Sequence, residues 1–144
     1  MRVIKISQVP APVVSVDATV SDAVRVMQQA RGGACAVTDK DCLVGIFSER
    51  DVMHRIVAAQ LDPQTIKIQE GMTTSLETVS TETEALQALE LMVSKHIRHL
   101  PVLDADKHLA GLLSIRNLLQ YLVEDLLNQL NSMEAYFTAD GPGG

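Results

Sequence analysis

The pattern of apolar positions along the chain predicts two helices that repeat one another. The first set has the spacing i, i+3, i+4 and i+7 of one buried helix face and consists of Val20, Ala23, Val24 and Met27. The same spacing returns 65 residues later in Ala85, Ala88, Leu89 and Met92. Thr19 with Asp22, and Thr81 with Glu84, show the Ser/Thr-x-x-acid spacing of helix starts. The chain therefore contains an internal repeat.

Short β-branched and apolar runs predict three strands in each repeat. One strand precedes each helix, at 13–16 and 78–81, and a second follows it, at 34–37 and 100–103. An Asp-containing turn then leads to a third strand that ends in a Gly-led segment, at 45–51 and 111–117. We expect helices after these segments, over about 49–60 and about 115–136. Each repeat reads β-α-β-β-α, which predicts an α+β fold.

The size of one repeat indicates that the two must share a structure. One small sheet with two helices is too little to close a core alone, so we expect the repeats to pack on each other. The predicted bounds are a lead-in at 1–9, a first repeat at 10–62, a linker at 63–71, a second repeat at 72–124, a C-terminal helix extension at 125–137 and a disordered tail at 138–144.

The last predicted helix carries a broad apolar stripe. The stripe consists of Leu118, Leu119, Leu122, Val123, Leu126, Leu127 and Leu130. Either it packs across the second repeat, or it pairs with the same helix of a second chain in a self-complementary two-fold contact. We expect the second arrangement, a homodimer.

Charge and hydropathy exclude several classes of partner. The net charge of −6 has the wrong sign for a sequence-independent grip on nucleic acid, and aromatic residues make up only 3% of the chain. The N-terminal residues lack a long apolar signal region, and no apolar stretch approaches eighteen residues. We therefore expect a cytoplasmic protein with no nucleic-acid or membrane partner.

The two cysteines are too few for a disulfide framework. Cys35 and Cys42 flank a predicted hairpin turn at 38–41. If Asp39 and Lys40 form a two-residue loop, Cys35 lies opposite Val44 and a disulfide would need another register. We expect both cysteines to be packed core residues.

The sequence lacks the patterns of a catalytic or metal site. There is no phosphate-binding Gly-x-x-x-x-Gly-Lys loop and no paired carboxylates typical of acid–base chemistry. His96 and His99 are three residues apart, and His54 or His108 could approach them, but no carboxylate or Cys completes a recognised ligand spacing. We expect neither enzymatic activity nor a bound metal.

Three features together resemble a known family. These are the repeated Gly-hydrophobic-x-Ser-x-x-Asp/Asn segment, the run Ile97-Arg98-His99-Leu100-Pro101-Val102 and the β-α-β-β-α order. Over roughly residues 10–124 they resemble tandem CBS domains, named after cystathionine beta-synthase. The resemblance implies a pseudo-two-fold pair of repeats, often dimeric, with clefts that bind AMP, ADP, ATP or sometimes NAD or S-adenosylmethionine as regulatory ligands rather than required cofactors. The signal would pass to an effector protein or through dimer geometry.

The resemblance also implies which residues contact the nucleotide. Asp51 and Asn117 would hydrogen-bond the ribose hydroxyls, and Ser48 and Ser114 would contact ribose or phosphate. The remaining predicted contacts are Arg50 and Arg116, which are our phosphate candidates, together with Val16, Thr19, Ala34, Thr81, Arg98 and His99.

The two predicted sites are not equivalent. A carboxylate accepts stronger hydrogen bonds than an amide, so Asp51 is expected to bind ribose better than Asn117. Gly32-Gly33-Ala34 aligns with Ile97-Arg98-His99, so the first repeat lacks a phosphate-binding side chain there and leaves room for backbone approach. Which cleft is filled stays open.

Simpler interpretations exist for the same residues. Asp51 and Asn117 could polarise the first turn of a helix, the two serines could be N-caps, and the arginines could be solvated surface charges. The chain would then be a structural dimerisation module with vestigial clefts. An enzyme acting on a nucleotide is a further alternative.

Overall fold

The computed structural model describes residues 1–139. The elements of the first repeat are β1 (Val13–Ser15), α1 (Val20–Ala30), β2 (Ala34–Asp39), β3 (Cys42–Ser48) and α2 (Glu49–Asp51), and α2 continues as a π-helix over Val52–Val57. Those of the second are β4 (Val79–Ser80), α3 (Ala85–Lys95), β5 (His99–Leu103), β6 (Leu109–Ser114) and α4 (Ile115–Ala139). The predicted α+β class and the order β-α-β-β-α are confirmed in both repeats.

Each repeat builds its own three-stranded sheet, with the same topology. In the first sheet β2 lies between β1, to which it is parallel, and β3, to which it is antiparallel. In the second, β5 takes the middle place between β4 and β6 in the same way. The internal repeat of the sequence is thus a repeat of structure.

The two central helices begin in equivalent ways, but the sequence identifies only one start correctly. Thr19 and Asp22 form a capping box, in which Thr19 Oγ1 accepts from the Asp22 N–H at 3.2 Å and Asp22 Oδ2 from the Thr19 N–H at 3.0 Å. The predicted pairing of Thr81 with Glu84 is wrong, because Glu84 is itself the N-cap of α3 and its N–H donates to Gln87 Oε1.

The β2–β3 hairpin differs from the predicted register. Its two loop residues are Lys40 and Asp41, which both have positive φ, as the tight primed turns of hairpins require. A β-bulge shifts the register further, so Cys35 lies opposite Phe47 and not Val44. Cys35 is buried but Cys42 is exposed, so the prediction of two core cysteines is wrong for Cys42.

The segments predicted as lead-in and linker are a further repeated element that crosses between the repeats. Each forms a short 3₁₀ turn, at Val3–Ile6 and at Ile68–Glu70. Val3 precedes the first repeat but is buried in the core of the second, whereas Ile68 precedes the second and is buried in the core of the first. The hydrophobic cluster of each repeat thus includes a residue from the segment that precedes the other repeat.

Backbone pairing continues this exchange beyond the 3₁₀ turns. Gln8 exchanges two backbone hydrogen bonds with Leu112 in β6, at 2.9 and 3.1 Å. Thr73, which aligns with Gln8, exchanges two with Ile46 in β3, at 2.8 and 3.0 Å. The crossing segments therefore fix the two sheets relative to each other.

The C-terminal helix is longer than the sequence predicts. It continues through Ala139, so residues 138 and 139 are helical where a disordered tail was expected, and 140–144 lie outside the described residues. The helix predicted over 49–60 is shorter in the structure. It ends at Val57, and from Val52 onward its hydrogen bonds follow a π-helical pattern. No helix in the described part of the chain is long and apolar enough to cross a membrane.

Candidate functional site

A cleft of about 970 Å³ lies between the two repeats. Residues at the ends of both Gly-led segments line it, together with the C-terminal ends of α1 and α3. Both repeats thus contribute the same part of their structure to one cavity. Its volume is at the upper end of the range for small-molecule sites.

Eight of the twelve predicted site residues line this cleft: Ser48, Arg50, Asp51, Arg98, His99, Ser114, Arg116 and Asn117. The other four do not: Val16, Thr19, Ala34 and Thr81. The Thr19 side chain caps α1, and Ala34 is fully buried at the start of β2. The Val16 and Thr81 N–H groups extend β1 and β4 by donating to Thr38 and Leu103.

Asp51 is buried at the edge of the cleft, with both carboxylate oxygens already engaged. Its Oδ2 accepts from the Ser48 N–H at 3.0 Å and from the Ser48 hydroxyl at 3.2 Å. Its Oδ1 accepts from the Thr73 hydroxyl at 3.3 Å and lies 3.5 Å from Arg55 Nε. Both oxygens of the Asp51 carboxylate therefore already have partners within the protein in this conformation.

Asn117 occupies the equivalent place in the second repeat but has different partners. Its backbone N–H donates to Ser114 Oγ at 3.1 Å, so Ser114 caps α4 as Ser48 caps α2. Its side-chain Nδ2 donates to the carbonyl of Ile6 at 3.5 Å. Both motif residues thus hydrogen-bond a crossing segment. Asp51 accepts from Thr73, and Asn117 donates to Ile6.

The cleft is basic in a protein whose net charge is −6. Four arginines line it, Arg31, Arg50, Arg98 and Arg116, against two acidic residues, Glu49 and Asp51. None of the four arginines forms an ion pair with an acidic group of residues 1–139. Such a local excess of positive charge attracts anionic ligands.

Two residues of the cleft that the sequence did not single out as ligand contacts are Arg31 and His96. They are the C-caps of α1 and α3 and both adopt the left-handed conformation, with φ of 53° and 56°. They align at the same offset of 65 residues as the helices. Comparing the two helix ends could therefore have identified them as one repeated feature.

The two repeats approach each other closely at Gly33, one of the residues that line the cleft. A Cβ placed on Gly33 would lie 3.0 Å from Glu49 Oε1 and 3.4 Å from the His99 imidazole. The room that the sequence predicts beside Gly32 and Gly33 is therefore filled, by Gln8 at the first glycine and by Glu49 and His99 at the second.

His99 is largely removed from solvent at this contact. Burial, with a smaller contribution from the charge of Arg98, lowers its pKa below the ordinary 6.5, while Glu49 opposes the shift. His99 is thus disposed to be a neutral hydrogen-bonding group at neutral pH.

The histidines do not come together as a metal site within the described residues. His96 and His99 line the cleft, whereas His54 and His108 do not. A separate cluster at the β5–β6 turn, Asp104, Asp106 and His108, brings three ligand atoms within 4.8 Å of one another. The Asp104 carboxylate there already accepts the N–H groups of Asp106 and His108.

Known proteins share this arrangement. A CBS domain-containing protein of Arabidopsis thaliana, whose name describes it as mitochondrial, is 35% identical over 125 residues. The matched residues make up 83% of this chain and 60% of that protein. The chain thus spans about three fifths of that relative's length. The solved structure of a candidate signal-transduction protein with CBS domains from Burkholderia ambifaria is 29% identical with a TM-score of 0.79, over 87% of this chain and 96% of that one.

A further similar structure contains a ligand. A CBS domain protein of Pyrobaculum aerophilum in complex with AMP is 27% identical with a TM-score of 0.74, over 81% of this chain and 89% of that one. The model of the CBS domain family matches residues 3–58 and 66–124, and both matches include the crossing segments that pack on the opposite repeat. On these matches and on its two repeated units, the chain belongs to the CBS domain family as a tandem pair of CBS domains.

Proposed function

We propose that this CBS pair is a regulatory module that binds an adenosine-containing nucleotide, AMP, ADP or ATP, in the cleft between its repeats. The observation that carries the proposal is the convergence of both Ser-x-x-Asp/Asn motifs and four arginines on one cavity of about 970 Å³. The similar protein of Pyrobaculum aerophilum, which is complexed with AMP, supports this choice of ligand class. NAD and S-adenosylmethionine are the remaining candidates.

The arginines are proposed to hold phosphate. Arg116 lies in the first turn of the long helix α4, where backbone N–H groups also favour an anion. Arg50 holds the matching place in α2. The ribose hydroxyls would then bind at Asp51 or Asn117, by exchanging one of the intramolecular contacts of these side chains.

Regulation requires that the ligand prefer one arrangement of the protein. A nucleotide that bridges residues of both repeats favours the arrangement in which they are held as in this structure, and only this difference in affinity can shift the balance. The change would be read by a second copy of the chain or by a separate effector protein. A cytoplasmic location stays a prediction.

Thermal unfolding with each candidate ligand tests the proposal. AMP, ADP, ATP, NADH and S-adenosylmethionine are added in turn, and a ligand at a hundredfold excess over its Kd should stabilise the fold by about 2.7 kcal/mol. No shift with any of them at millimolar concentration would overturn the proposal. Chromatography of the ligand after incubation should return it unchanged, and its conversion would instead indicate an enzyme.

Alanine substitutions of the arginines that line the cleft test where the nucleotide phosphates bind. Arg50→Ala and Arg116→Ala should weaken ATP binding and leave adenosine binding nearly unchanged. Arg25→Ala is the matched control, because Arg25 lies on α1 outside the cleft, 3.4 Å from Asp22. Equal losses in all three variants would contradict a phosphate role.

A structural module with vestigial clefts is the second candidate. The engagement of Asp51 by Ser48, Thr73 and Arg55 favours it, because these contacts stabilise the fold without any ligand. Asp51→Asn separates the two functions. If the clefts are vestigial, Asp51→Asn lowers only the unfolding temperature of the protein without ligand. If they bind nucleotide, Asp51→Asn also reduces the rise in unfolding temperature that the nucleotide causes, measured relative to the variant without ligand.

A further inference from the structure

Four donor groups of the protein surround the Asp51 carboxylate. The N–H and the hydroxyl of Ser48 donate to Oδ2, whereas the Thr73 hydroxyl donates to Oδ1 and Arg55 Nε lies 3.5 Å from it. An ionised carboxylate offers about four lone-pair positions. A ribose hydroxyl that binds Asp51 must therefore replace one of these four donors.

Three of the four donors are held in place by further contacts. The Ser48 hydroxyl also accepts the Asp51 N–H at 3.4 Å, so both Ser48 contacts belong to the capping box that begins α2. Arg55 also donates from Nη1 to the carbonyl of Met72 at 2.9 Å, and it does not line the cleft. Replacing any of these donors would disturb the helix start or the contact between Arg55 and the crossing segment.

The Thr73 hydroxyl is the donor that a ligand can replace most easily. Thr73 lines the cleft together with Ser48 and Asp51. Its contact with Asp51 is 3.3 Å long, against about 2.7–2.8 Å for a typical O–H···O hydrogen bond. Thr73 does not depend on this contact for its place, because its backbone exchanges two hydrogen bonds with Ile46. The hydroxyl can therefore leave Asp51 while the crossing segment stays on β3.

The equivalent residues of the second repeat are arranged differently. Gln8 aligns with Thr73, and its side-chain amide donates to the carbonyl of Ala30 at 3.0 Å. Tyr121 aligns with Arg55 and packs against the hydrophobic core of the second repeat. Asn117 carries no charge. The set of a buried carboxylate, a hydroxyl and a guanidinium is therefore a property of the first repeat.

We propose that the Thr73 hydroxyl keeps the ribose site of the first repeat closed, and that a ribose hydroxyl of the bound nucleotide takes its place on Asp51 Oδ1. This inference rests on the proposed function and identifies a residue that sets the affinity of the same site. In the free protein, Thr73 links Asp51 to the crossing segment before β4. In the bound protein, the nucleotide replaces this link, so part of its binding energy is spent on breaking a contact within the protein.

Titration calorimetry of the full chain with AMP and with 2′,3′-dideoxy-AMP tests the proposal. The second ligand keeps the adenine and the phosphate but has no ribose hydroxyl to replace Thr73. Thr73→Val should bind AMP about fivefold more tightly than the wild type, because one hydrogen bond no longer has to be broken. Its affinity for 2′,3′-dideoxy-AMP should equal that of the wild type.

Two further variants separate the hydroxyl from other effects of the substitution. Thr73→Ser restores a hydroxyl at the same place, so its affinity for AMP should return towards the wild-type value. Thr65→Val is the matched control, because the Thr65 hydroxyl donates to the carbonyl of Asp62 at 3.4 Å outside the cleft. This control should bind both ligands as the wild type does.

The stability of Thr73→Val gives a second measurement. Because the Thr73 hydroxyl no longer donates to Asp51 in the bound protein, the stability that Thr73→Val lacks without ligand should be recovered at saturating AMP. Urea unfolding with and without AMP measures this recovery. A purely structural role for the hydroxyl predicts the same loss of stability in both conditions.

The possible failures are distinguishable. If neither nucleotide binds to the wild type or to Thr73→Val, the proposed function is contradicted and this inference falls with it. If AMP binds but its affinity in Thr73→Val is unchanged or lower, only this inference is overturned. An equal gain for AMP and 2′,3′-dideoxy-AMP would also overturn it, because the gain would then not come from the ribose hydroxyls.

Discussion

The hydroxyl of Thr73 donates to the Asp51 carboxylate across 3.3 Å, and the two residues belong to different repeats. Thr73 lies on the crossing segment before β4, while Asp51 ends α2 in the first repeat. This contact joins the motif residue proposed to bind ribose to the segment that holds the repeats together.

The contact predicts a measurable loss of stability in Thr73→Val. Valine keeps the shape of threonine but removes the donor to a largely buried carboxylate, which should lower the free energy of unfolding by about 1 kcal/mol. Urea unfolding measures this difference. Thr73→Ser retains a hydroxyl and should lose less; equal stability of Thr73→Val and wild type would show that Ser48 and Arg55 suffice to hold Asp51.

A second prediction concerns the close approach of the other crossing segment to β6. A Cβ on Gly111 would lie 3.0 Å from the carbonyl oxygen of Gln8, a backbone atom that is fixed by its pairing with Leu112. Gly111→Ala should therefore destabilise the protein by about 1–3 kcal/mol through overpacking.

Gly32→Ala is the control for this substitution. The nearest atoms to a Cβ at Gly32 belong to the flexible side-chain amide of Gln8, at 3.2 Å. That amide donates to the Ala30 carbonyl at 3.0 Å but needs to shift by only a few tenths of an ångström, so chemical denaturation should show a smaller loss. If both variants unfold at the same denaturant concentration, the backbone of the crossing segment is not tightly fixed at Gly111.

The sequence predicted those parts of the fold that depend on local pattern. Apolar spacing located α1 and α3, and the Gly-led segments located β3 and β6, because helix and strand periods are local properties. The predicted start of α3 was wrong because Thr81 is followed by the same Ser/Thr-x-x-acid spacing as Thr19. Applying the 65-residue offset to Thr19 points instead to Glu84, the observed N-cap.

The parts that the sequence did not predict depend on contacts between distant residues. Neither the pairing of Gln8 with Leu112 nor that of Thr73 with Ile46 has a local signal. The offset of Val3 from Ile68 is nevertheless the same 65 residues, so the repeat could have been extended to the lead-in. The engagement of Asp51 by Thr73 required the structure, since it depends on the crossing segment.

A third prediction is that the two thiols differ sharply in reactivity. Burial raises the pKa of Cys35 to about 12, whereas Cys42 is exposed beside the hairpin turn. The thiolate is the reactive form, so a disulfide reagent such as Ellman's should label one thiol per native chain and both after denaturation. Native Cys42→Ser should show no rapid labelling, and rapid labelling of that variant would mean that the core around Cys35 opens readily.

The last prediction is a loss of stability on acidification that comes from His99. Its folded pKa lies below the ordinary 6.5, chiefly because of burial. As the pH falls through 6.5 the unfolded chain binds a proton that the folded protein resists, so stability that is fully present above 6.5 declines below it. Urea unfolding between about pH 7.5 and about pH 5.5 should show this decline.

Substitution of the histidine isolates its contribution. His99→Gln keeps a polar side chain that does not titrate, so its stability should depend less on pH over this interval. His108→Gln is the control for replacing a histidine outside the cleft, because the His108 side chain is 71% exposed at the β5–β6 turn and does not line the cleft. The lowered pKa values of Asp22 and Glu84 affect only more acidic solutions, since the ordinary values are 3.8 and 4.5. An unchanged slope in His99→Gln would mean that solvent reaches the imidazole at the Gly33 contact.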